Sequence, residues 1–76
     1  MKRYDLRGHK SDFNSRLLEI LKVGKEGEVF IFLFEIVSAA GLQEVINSIK
    51  ESGAEVLNSL KFNEADWTIV VKVSNV

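Results

Sequence analysis

Apolar and polar residues alternate at the start of the chain, with Tyr4 and Leu6 on one side of KRYDLR and Arg3, Asp5 and Arg7 on the other. That period of two predicts a short half-buried strand, which Gly8 ends. From Phe13 the spacing changes: Phe13, Leu17, Ile20 and Leu21 fall on one face of a helix. The helix should stop at Val23-Gly24, glycine being the usual helix terminator. EVFIFLFEIV, bounded by Gly27 and Ser38, is β-branched and aromatic throughout and predicts a central strand. Leu42, Val45, Ile46 and Ile49 then recur at helical spacing, and Gly53 ends that second helix. Two strands close the chain. In AEVLNSLKF, Val56, Leu60 and Phe62 share a side; in DWTIVVKV, Trp67, Ile69, Val71 and Val73 do, and NEAD between them reads as a hairpin turn.

The predicted order is β-α-β-α-β-β, with helices near residues 12–23 and 39–52. Short connections and the right-handed crossover rule put both helices on the same side of one sheet. The fold class is therefore an α+β two-layer sandwich, a four-stranded mixed sheet with two helices on one face. The other sheet face is left open. On the outer strands that face should present Arg3, Asp5, Arg7, Leu57, Ser59, Lys61, Thr68, Val70 and Lys72. The central strand is apolar on both sides, Val29, Ile31 and Leu33 alternating with Phe30, Phe32 and Phe34, so periodicity does not choose between them. Phenylalanines turned outward would offer a stacking stripe beside Arg3, Arg7, Lys61 and Lys72, a surface suited to single-stranded RNA. Large apolar groups left on that face would equally suit contact with a protein, most simply a second copy.

Seventy-six residues allow a single domain, 1–76. Cysteine is absent, which excludes disulfides, thiolate metal sites and thiol nucleophiles. A small domain without cross-links points to a cytoplasmic setting. VFIFLF is too short to span a bilayer, and MKRYDLRGHK lacks the apolar segment of a secretory signal, so no membrane role is expected. Seven Lys/Arg stand against four Asp/Glu over residues 1–27, and three against seven over 28–76. This basic end is far from the dense stripe a duplex-DNA binder needs, so duplex DNA is not an expected partner.

The stretch GHKSDF, where the first strand passes into the first helix, gathers the chain's polar chemistry. Ser11 or Asp12 is placed to cap the helix, and Asp12 also suits the positive end of its dipole. Ser11, His9 and Asp5 or Asp12 include the residue types of a hydrolytic triad. They lie within eight positions, without a glycine-flanked nucleophile turn or oxyanion donors. One glycine makes no phosphate cradle, and His9 with two carboxylates is too sparse for a metal site. No catalytic residue, metal or cofactor is assigned.

DLRG at the end of a first strand, a helix starting a few residues later, Gly27-Glu28 before the second strand, GAEV entering the third and the WTIVVKV ending together resemble the TusA/SirA-like sulfur-carrier family. The resemblance spans nearly the whole chain and implies a single TusA-like domain with strand order 1-2-4-3. The family's working motif is Cys-Pro-x-Pro, its cysteine carrying a persulfide at the first helix's N-terminus. Here those positions read Ser11, Asp12, Phe13 and Asn14. A serine hydroxyl holds no persulfide, so the resemblance implies shape without sulfur transfer. The expected function is a non-catalytic binding or regulatory module, docking a protein around Arg7, Gly8, His9, Lys10, Ser11, Asp12 and Phe13. The alternative is single-stranded RNA binding on the open sheet, through Phe30, Phe32 and Phe34 with Arg3, Arg7, Lys61 and Lys72.

Overall fold

A computed structural model describes residues 2–9, 12–35 and 39–74. The elements run β1 (Lys2–Asp5), α1 (Phe13–Val23), β2 (Val29–Glu35), α2 (Ala39–Glu51), β3 (Glu55–Lys61) and β4 (Asp66–Lys72), the order expected from the pattern. The sheet order is β1-β2-β4-β3. β1 runs parallel to β2, and the β2–β4 and β4–β3 pairs are antiparallel, which makes the sheet mixed.

Both helices cover the same sheet face. Leu17 and Leu21 of α1 and Val45 and Ile49 of α2 join Phe30, Phe32, Phe34, Ile69 and Val71 in one buried cluster. The central strand thus turns its phenylalanines toward the helices. Each ring buries far more apolar area than Val29 or Ile31 would in the same place, which decides the orientation of a strand apolar on both sides. Tyr4 packs edge-on to Phe30 at 5.7 Å and stacks on Phe32 at 5.8 Å. Phe13 stacks on Phe34 at 5.1 Å, pinning the start of α1 to the sheet.

Asp12 occupies the N-cap position of α1, but its side chain makes no capping bond. Its carboxylate instead lies 3.3 Å from His9 Nδ1. Gly24 closes the helix, its N–H donating to the Leu21 carbonyl.

β3 departs from the expected alternation. A bulge between Val56 and Asn58 shifts its register, so that Val56 lies opposite Val71 while Asn58, Ser59, Leu60 and Lys61 lie opposite Val70, Ile69, Thr68 and Trp67. One extra residue reverses the facing of everything after it. Leu60 therefore leaves the helix side for the open face. Ser59 and Lys61 take the opposite turn, and a 2.6 Å bond from Trp67 Nε1 to Ser59 Oγ shows that Ser59 shares the side of Trp67.

Candidate protein-binding face

The register builds the open face row by row. Arg3, Ile31, Val70 and Asn58 form one row across the four strands, and Asp5, Leu33, Thr68 and Leu60 the next. Val29, Lys72 and Glu55 lie at one end, Glu35 and Asp66 at the other. The centre is apolar and the rim charged, the arrangement of a polypeptide contact surface. Leu60 and Phe62 are each 57% exposed. Together with Arg3, Ile31, Lys61 and Thr68 they line a groove of about 340 Å³.

Leu33 sits on this face yet is only 2% exposed, and it does not belong to the helix-side cluster. Its cover is Arg7. The guanidinium binds Asp5 through Nη2 at 2.8 Å and through Nε, and reaches Asp66 through Nη1 at 3.2 Å. Asp5 pairs with the β1 edge of β2 and Asp66 with the β4 edge, so the bridge crosses β2 between Leu33 and Glu35. Asp66, almost wholly buried, also accepts from Asn63 Nδ2 at 2.8 Å. The Arg7 side-chain bonds, with its backbone N–H, hold the Asp5 carboxyl down at about 2, and the two carboxylates push the Arg7 guanidinium up. This clamp staples three strands at one end of the sheet.

The expected site residues part company here. Phe30, Phe32 and Phe34 are at most 2% exposed and face the helices, so the open face has no phenylalanine stripe on which bases could stack. The bulge takes Lys61 out of the open-face register, leaving Arg3, Arg7 and Lys72 of the basic set there. The other expected surface, residues 7–13, is also broken up. Arg7 is drawn onto the sheet and Phe13 is half-buried against Phe34. Gly8, His9 and Asp12 remain accessible, and Lys10 and Ser11 lie outside the described residues. Strict alternation, carried through the bulge, hides Leu60 and Phe62 from a reading of the sequence. The adjacent apolar pair Val56-Leu57 is the one sign of the bulge there.

Among the described residues, no group of three or more His, Cys, Asp or Glu is placed to hold a metal ion. No helix there is long and apolar enough to cross a membrane.

Comparison with known proteins adds the family. A search of curated proteins returned no match. Among solved structures, the chain is similar to the solution structure of HP1264 from Helicobacter pylori, at 45% identity and a TM-score of 0.68, covering 97% of this chain and 99% of that one. The likeness to sulfur carriers rests on element order and the DLRG stretch, and no comparison returns that family. Residues 1–73 match the family of the "putative NADH-ubiquinone oxidoreductase" E subunit, and the protein belongs to it.

Proposed function

We propose that this protein is a non-catalytic, protein-binding subunit of an NADH-ubiquinone oxidoreductase assembly, attached through its open sheet face. One observation carries the reading: the face has an apolar centre of Val29, Ile31, Val70 and Leu60 inside a rim of charges. An oxidoreductase moves electrons through bound groups such as flavins and iron–sulfur clusters. A cluster held by cysteine thiolates does not fit this chain, which has no cysteine. The sequence also lacks the G-x-G-x-x-G dinucleotide fingerprint. What the chain offers an electron-transfer assembly is a surface. The sulfur-carrier likeness enters at the level of shape: a small sandwich that docks on other proteins, with serine at the carrier position.

The test is binding of the purified chain to the other purified polypeptides of an NADH-ubiquinone oxidoreductase from the same source. Wild-type chain binds, and Ile31→Lys, which places a charge at the centre of the face, binds at least about tenfold more weakly while keeping its circular dichroism spectrum. Equal binding by the variant, or no binding by the wild type, contradicts the reading.

A further inference from the structure

We infer that in the isolated chain the open sheet face is covered by a second copy of the same chain, the two sheets stacked face to face about a two-fold axis that runs across the strands. The inference rests on the reading of that face as protein-binding and names its occupant.

Charge placement selects this arrangement. Two-fold stacking with strands aligned has two forms. With the axis along the strands, β2 of one copy lies over β4 of the other at the same height. Glu35 would then face the partner's Asp66, its own register neighbour on β4, and like charges would meet in both halves of the contact. With the axis across the strands, each strand lies over its own copy end for end. Ile31 then meets the partner's Leu33 region, Val70 the partner's Thr68, and Arg3 the partner's Asp5. Lys72, at one end of β4, comes above the partner's Asp66 and within one strand spacing of the partner's Glu35, about 4.8 Å sideways. Among the described residues Arg3, Lys72 and Glu35 make no ion pair within their own chain. Self-stacking in this sense gives all three a partner of opposite sign and buries the apolar centre at the same time.

Four strands about 4.8 Å apart and roughly 20 Å long cover on the order of 400–500 Å² per copy. A standard stable interface takes about 800 Å² from each partner. The dimer is thus a weak one, with a dissociation constant on the order of 10–100 μM, low enough in affinity for a partner polypeptide to displace the second copy.

Sedimentation equilibrium of the purified chain up to about 1 mM tests this directly, at low and high salt. The wild type should dimerise. Lys72→Glu and Glu35→Lys, both exposed positions, should each weaken the dimer at least about tenfold, because each creates two like-charge contacts. The double variant, with the charges exchanged, should return to within about threefold of wild type. Circular dichroism of each variant confirms the fold. A wild-type chain that stays monomeric at about 1 mM overturns the inference. So do single reversals without effect, or a double variant as weak as the singles. A monomeric chain that still binds oxidoreductase polypeptides removes this inference alone. A dimer that ignores those polypeptides removes the proposed function instead.

Discussion

Gly24 is where a single methyl group tests the packing of the whole domain. A Cβ there would lie 2.8 Å from Phe30 Cε2 and 2.9 Å from Val73 Cγ2, both well inside ordinary contact. Neither neighbour has room to withdraw. Phe30 is held by Tyr4 on one side and Phe32, 6.0 Å away, on the other. Val73 is 3% exposed, and its backbone bonds to Glu28 and Gly27 at 2.8 Å each. Overpacking of this kind costs about 1–3 kcal/mol, and two simultaneous clashes in fixed surroundings put Gly24→Ala in the upper half of that range. Gly24 has φ −73°, ψ 153°, which alanine adopts freely, so reduced freedom of the unfolded chain returns about 0.4–1 kcal/mol. The net loss is about 1–2 kcal/mol, a sizeable part of the roughly 4–11 kcal/mol expected for a domain of this size. The melting temperature should fall by about 5–15 °C. Urea unfolding followed by circular dichroism measures it, with Gly8→Ala as the control. An added Cβ at Gly8 meets nothing within 4 Å and its φ is not positive, so that variant should be unchanged or slightly more stable. A Gly24→Ala protein as stable as wild type would refute the placement of α1's end against β2 and Val73.

Acid should loosen the clamp: a carboxyl held at about 2 instead of its ordinary 3.8 contributes stability above pH 4 that is lost as the pH falls toward 2. Unfolding midpoints across that window should therefore fall more steeply for wild type than for Asp5→Asn, and parallel slopes would contradict the role of Asp5. Ser59→Ala removes the acceptor of the Trp67 indole N–H and should cost about 1 kcal/mol. Trp67 is the chain's single tryptophan, so its emission reports the change directly, and an unaltered spectrum with unaltered stability would place Ser59 elsewhere.

The helices were legible in the sequence because the 3.6-residue period is carried by many residues at once. Phe13, Leu17 and Leu21, and Leu42, Val45 and Ile49, all pack against the core where the spacing put them. Tyr4, Leu6, Trp67, Ile69 and Val71 likewise face the helices as alternation required. β2 was not legible in its facing, since both of its sides are apolar. Ring volume decides there, and volume matters only once two helices stand above the sheet. β3 was misread beyond Val56 because a bulge adds one residue and no proline or glycine marks it. The Arg7 clamp was invisible for another reason. Asp5 and Asp66 are 61 positions apart in the sequence, and the register alone brings them to either side of β2.

The central claim, that the open sheet face is the protein-binding surface, is tested most directly by amide chemical-shift mapping of the isotope-labelled chain. Purified oxidoreductase polypeptides are titrated into it at concentrations low enough to keep the chain monomeric. Changes should gather on Arg3, Ile31, Thr68, Val70 and Leu60 and leave the outer faces of α1 and α2 undisturbed. Changes confined to the helices, or none at saturating partner, would contradict it.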